Sequence, residues 1–133
     1  MAAHLLRPSA LVRDDQLVEG VGVLVEDGRI VEVGADLSAD TEETLEGTLL
    51  PGAIDLQVNG AGGRSVEEAT HDALEVVAET VRAGGATAFL PTLITAPFDA
   101  LLDQIRAVAS WCAAYDGPGA RPLGLHVEGP FLE

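Results

Sequence analysis

The sequence predicts an α/β fold for its larger part, preceded by a smaller piece of β structure. Three observations carry that expectation. From residue 51 onward, apolar runs of strand length alternate with stretches of helical periodicity in the order βαβαβ. Pro51-Gly52 marks the boundary at which this alternation begins. Before it, Asp27-Gly28 stands between two alternating runs, a strong short-range signal for a hairpin. Strands joined through helices run parallel with right-handed crossovers, so three of them suit the start of a barrel or of a doubly wound sheet.

Residues 1–50 read as small β structure. Residues 21–26 and 29–34 flank the Asp27-Gly28 turn. Val21, Val23 and Val25 alternate along the first run, and Ile30, Val31 and Val33 supply its partner. Residues 35–43 are acidic and turn-rich, and residues 44–50 return as one more strand. So few strands cannot bury both faces, and this piece needs partners that the sequence does not hold.

After the boundary, residues 53–58 form a first buried strand. Ser65-Val66-Glu67-Glu68 has the pattern of a capping box opening a helix. Leu74, Val77, Ala78 and Val81 recur at helical spacing until Gly84-Gly85 stops it. A second strand is expected over 87–90, with Pro91 after it. A longer helix spans 98–115, with Leu101, Leu102, Ile105, Val108, Ala109 and Cys112 on one face and Trp111 packing beside it. After Asp116-Gly117-Pro118-Gly119, residues 122–128 read as a third strand ending in Gly129-Pro130.

Composition narrows the function classes. The formal charge is -15, with seven arginines and no lysine, which argues against nucleic acid or an anionic membrane as partner. No apolar stretch is long enough to span a bilayer, and the first residues lack a signal-type pattern. Cys112 is the lone cysteine, so no internal disulfide forms, and it reads as a small core residue. A cytoplasmic protein is expected. No strand is followed by GxGxxG, and no GK[ST] occurs, which leaves little for a nucleotide-binding reading.

Two pairs of residues carry candidate chemistry. Gln57 and Asn59 are spaced i, i+2 at the end of the first strand and share a face. His126 and Glu128 repeat that spacing at the end of the third. Parallel α/β sheets place their chemistry at such C-terminal ends. A carboxylate there can hold a divalent metal or act as acid or base, and the same spacing suits a rim carboxylate satisfied by loop amides. His126, one step deeper, reads as a supporting residue behind Glu128, while His4 and His71 read as solvated.

Resemblance goes further. Pro51-Gly52-Ala53-Ile54-Asp55-Leu56-Gln57-Val58-Asn59-Gly60-Ala61-Gly62-Gly63 resembles the first barrel strand of the amidohydrolase superfamily. Joined with Gly85-Ala86-Thr87-Ala88-Phe89-Leu90-Pro91-Thr92-Leu93-Ile94-Thr95 and Gly124-Leu125-His126-Val127-Glu128-Gly129-Pro130-Phe131-Leu132, it is similar to the N-acetylglucosamine-6-phosphate deacetylase family within that superfamily. The resemblance implies the start of a (β/α)8 TIM-like barrel, its first three strands and two helices in residues 51–133, preceded over 1–50 by part of a small β-sandwich. It implies a metal-dependent hydrolase that removes acetate from an amino-sugar phosphate, N-acetylglucosamine 6-phosphate, and works as a homo-oligomer.

Glu128 matches the family's metal-binding glutamate, where one divalent ion, zinc or similar, would polarise the acetyl carbonyl and activate a water. The family's two metal-binding histidines and its proton-handling aspartate come from later strands, so no catalytic residue is expected within these 133 and the chain alone is expected to be inactive. Gln57 and Asn59 stand where most superfamily members carry His-x-His for a second metal. Neutral amides replace imidazole poorly, which implies a single ion, with Gln57 and Asn59 orienting water or substrate. Two alternatives are a dihydroorotase- or hydantoinase-like enzyme, which would show His-x-His at that point, and a truncated, non-catalytic remnant.

Overall fold

The computed structural model describes residues 3–130, so Phe131 and Leu132 of the third motif lie outside the described residues. Contacts divide the chain into two compact units, one ending at Pro51 and the other beginning at Gly52.

The first unit holds one five-stranded sheet. Its strands are β1 (His4–Arg13), β2 (Gln16–Val18), β3 (Gly22–Glu26), β4 (Arg29–Gly34) and β5 (Thr41–Leu49). The expected hairpin is β3–β4, closed by Asp27 and Gly28 at φ 51° and 72°. The hub of the sheet is β1, antiparallel to β2 and β3 and parallel to β5. Neither β1 nor β2 was expected from the pattern, so the unit is better furnished with strands than the sequence indicated. Pro8 breaks the alternation of β1, and the structure absorbs it in a register shift between Pro8 and Ala10 against β5. The β1–β2 turn runs through Asp14 and Asp15, both at positive φ with no glycine to announce them. Leu5, Leu11 and Val23 are buried, while Leu17, Ile30 and Val31 stay exposed.

The second unit opens with β6 (Ala53–Val58) and a short ribbon of β7 (Gly60–Ala61) and β8 (Arg64–Ser65). A 3-10 turn (Val66–Glu68), α1 (His71–Ala83), β9 (Ala86–Leu93), α2 (Phe98–Ala114), β10 (Arg121–Pro122) and β11 (His126–Val127) follow. Every pairing to β9 is parallel, with β6 along one edge and β10 then β11 along the other. This is the α/β arrangement that the alternation predicts. Phe89 and Leu93 of β9 join Leu74, Val77 and Ala78 of α1 and Leu101, Val108 and Trp111 of α2 in one core.

Five details differ from the sequence reading. The first strand of the second unit, β6, was expected to be buried, but it is exposed from Ala53 to Gln57 and buries only Val58, because β9 covers one edge and no helix packs over its faces to the same extent as over β9. The capping box is present, with Ser65 Oγ accepting from the Glu67 amide and Glu68 reaching back to the Ser65 amide, but it caps the 3-10 turn. Ala69 then turns left-handed at φ 49° and ends it, and α1 starts afresh with Thr70 Oγ1 accepting from the Ala73 amide. The second strand does not stop at Pro91 but runs on to Leu93. The third strand is broken into β10 and β11, because four steps from Pro122 to His126 face only three from Phe89 to Thr92. On α2, Ala109 is exposed, and Leu102, Ile105 and Cys112 are only half-buried. Trp111 is buried instead, its ring 4.8 Å from Tyr115 and its Nε1 donating to Glu75 Oε1 at 2.9 Å. Among the described residues no helix is long and apolar enough to cross a membrane.

Candidate functional site

Because β6, β9 and β11 are parallel, their C-terminal ends lie side by side and bring Gln57, Thr92, His126 and Glu128 to one end of the sheet. Pro91 decides the local geometry. It has no N–H to give the ladder, and it sits in the central strand, where proline is ordinarily excluded. The neighbouring β6 responds with a bulge: Asp55 pairs Phe89 and Val58 pairs Pro91, so β6 spends one residue more than β9. Side chains then take over the displaced backbone groups. Asp55 Oδ1 accepts from the Gln57 amide at 3.1 Å, and Thr92 Oγ1 accepts from the Val58 amide at 3.1 Å.

Thr92 is fully buried, and its hydroxyl also lies 3.1 Å from the Leu90 carbonyl and 3.4 Å from His126 Nδ1. It therefore links β6, β9 and β11 through one oxygen. His126 is half-buried and turned toward this hydroxyl. Glu128 is anchored through its backbone. Its amide donates to Leu93 O at 2.8 Å, and Thr95 Oγ1 donates to its carbonyl at 3.3 Å. Gly129, at φ 107°, lets the chain pass so near Thr95 Oγ1 that a Cβ there would collide with it.

The side chains of the two pairs meet at one point: Gln57 Nε2 donates to Glu128 Oε2 at 3.1 Å. Asn59 does not join them by its side chain among the described hydrogen bonds. Its carbonyl instead accepts from the Val66 amide at 2.9 Å, tying the end of β6 to the 3-10 turn. Elsewhere, His71 is 74% exposed beside Glu75, as expected, whereas His4 is engaged by Thr41 and Glu43 across the first sheet.

Among the described residues no group of three or more His, Cys, Asp or Glu side chains is placed to hold a metal ion. A cleft of about 430 Å³ lies instead between α1 and the end of α2, lined by Leu74, Glu75, Trp111 and Tyr115, and its carboxylate is already committed to Trp111. A second, of about 410 Å³, borders Cys112 and Leu123. Neither includes Gln57 or Glu128. Burial pushes the Cys112 thiol up to about 11, so it is no nucleophile at neutral pH. The sequence reading did not single out Thr92 and Thr95, whose hydroxyls organise these strand ends. The signal that points to them is their place in the second motif, directly after Pro91 and at the end of the strand.

No family model matches the chain. Individual proteins do. The N-acetylglucosamine-6-phosphate deacetylase of Bacillus subtilis is 28% identical over 135 residues, 96% of this chain and 34% of that protein. The human protein of the same name is 35% identical over 137 residues, 97% of this chain and 32% of that protein. A solved mutant N-acetyl-D-glucosamine-6-phosphate deacetylase from Mycobacterium smegmatis, in complex with N-acetyl-D-glucosamine-6-phosphate, superposes with a TM-score of 0.86. That match is at 28% identity and covers all of this chain and 34% of that one. The Pasteurella multocida deacetylase gives 0.84 at 27% identity, with 98% and 35% covered. The chain spans about a third of the length of the curated relatives it matches. It resembles N-acetylglucosamine-6-phosphate deacetylases along nearly all of its own length, as the three motifs implied.

Proposed function

We propose that this chain is part of an N-acetylglucosamine-6-phosphate deacetylase, a hydrolase that releases acetate from an amino-sugar phosphate. In this reading the second unit supplies the first three strands and two helices of a (β/α)8 barrel, and the first unit supplies part of a small β-sandwich. What carries the reading is the Gln57–Glu128 contact at the strand ends of a segment that matches such deacetylases over 96% of its length.

The donor set meets part of what a divalent metal requires. Glu128 fits as one oxygen ligand, since its backbone is clamped by Leu93 and Thr95 and its carboxylate stands at the strand rim. The described residues hold no complete ligand group, and in this reading the other ligands come from the part of the relatives' length that the chain does not span. A divalent ion bound there supplies a Lewis acid for the acetamide carbonyl and lowers the pKa of its hydrolytic water. The residues of this chain hold and orient. Thr92 and His126 fix the floor beneath the rim. The Asn59 carbonyl pins the loop 60–63 beside it. With amides rather than imidazoles at 57 and 59, one ion per site is the expected count.

The test is acetate release from N-acetylglucosamine 6-phosphate, with and without chelator. A protein extended to the length of the relatives should hydrolyse it and lose activity on chelation, and residues 1–133 alone should not. No acetate from the extended protein, or two tightly held ions per site, would overturn the respective part of the reading. N-acetylgalactosamine 6-phosphate belongs in the same assay, because a deacetylase of that name from Escherichia coli O157:H7 is 30% identical over 129 residues.

A further inference from the structure

We infer that Gln57 is a positioning residue for the Glu128 carboxylate, an inference that rests on the metal reading above. An ionised carboxylate only accepts hydrogen bonds, so a side-chain amide 3.1 Å away must turn its NH2 toward it. That sets which way the amide faces and commits one of its two N–H groups to Glu128.

The surrounding backbone is built to allow this contact. Gln57 lies on β6, Glu128 follows β11, and β9 runs between them, so the bond bridges the central strand. The bulge opposite Pro91 takes Gln57 out of ladder pairing, and Asp55 Oδ1 satisfies the amide that the ladder no longer holds. On the far side, Leu93, Thr95 and the tight passage at Gly129 fix the main chain of Glu128 but not its side-chain torsions. Among the described residues Gln57 is the one side chain that hydrogen-bonds the Glu128 carboxylate. It engages Oε2, while no described hydrogen bond reaches Oε1. The carboxylate is thus presented with one oxygen occupied and one left for a cation.

A neutral amide suits this task. It donates as an imidazole N–H would, yet it adds no strong transition-metal ligand beside the carboxylate. Partners that orient a ligating side chain through a hydrogen bond are worth roughly 10–100-fold in metal affinity.

The experiment is zinc titration by chelator competition on the full-length protein, comparing wild type with Gln57→Met, which keeps the length and loses the donor. Gln57→Ala is read in parallel. Both variants should bind zinc roughly 10–100-fold more weakly, with an unchanged unfolding midpoint of the metal-free protein and an unchanged KM for the amino-sugar phosphate at saturating zinc. Zinc affinity within twofold of wild type, with KM raised, would assign Gln57 to the substrate and sink the inference while leaving the metal reading intact. Absence of zinc binding by the wild type would remove the metal reading and this inference with it.

Discussion

Gln57, Asn59, His126 and Glu128 could be singled out because a strand puts i and i+2 on one face and the chain gives both pairs to strand ends. Which of the four touch could not be read, because contact depends on the bulge in β6 and the break between β10 and β11. Gln57 and Glu128 meet, while Asn59 turns out to matter through its carbonyl. Cys112 shows a legible residue whose environment was not. Its sequence neighbours indicated a core thiol, and it is half-buried, bonded through Sγ to Gly124 O at 3.5 Å and desolvated so that its pKa rises from 9.0 to about 11. A raised thiol pKa means less thiolate at any pH below it, by tenfold per unit. Alkylation at pH 8 should therefore run about a hundredfold slower in the folded protein than after unfolding in urea. Equal rates in the two states would mean that the thiol is not desolvated.

The helices and the hairpin were legible as elements because periodicity and turn chemistry are local signals. The strand containing Pro91 was not, because proline ordinarily ends a strand and only the neighbour's bulge makes it tolerable in the middle of this sheet. The same holds for Ala69, whose left-handed conformation splits one expected helix into a 3-10 turn and α1 without any glycine to mark it. The β6–β9 junction consequently depends on a side chain. Thr92 Oγ1 takes the Val58 amide, and Thr92 is 0% exposed, so no water replaces it. Thr92→Val keeps the shape and strands that donor. It should lower the stability of the full-length protein by about 1–3 kcal/mol, the cost of a buried unsatisfied group. Thr92→Ser, which keeps the hydroxyl and loses one methyl, should cost about 1 kcal/mol or less. Urea unfolding of the two variants checks this, and a valine variant as stable as wild type would show that the hydroxyl is dispensable.

At the scale of the whole chain, the main sheet of each unit has unpaired edges among the described residues. In the second unit β6 pairs only with β9, and its Ile54 and Leu56 are 54% and 65% exposed. In the first, β4 pairs only with β3 and leaves Ile30 and Val31 exposed. Unpaired edges that carry large apolar side chains are templates for other strands. The formal charge of -15 opposes association through self-repulsion, but salt screens it over roughly 8 Å at 0.15 M ionic strength, whereas edge pairing acts at contact. Adding salt removes the barrier and leaves the attraction. Residues 1–133 alone should thus unfold without a sharp cooperative transition and associate as salt rises, with light scattering growing between low and physiological ionic strength. A monomeric, cooperative thermal transition that is indifferent to salt would show that these edges are self-sufficient. In that case the proposed barrel would not be what β6 and β11 need for stability, and the longer protein would be required for its ligands alone.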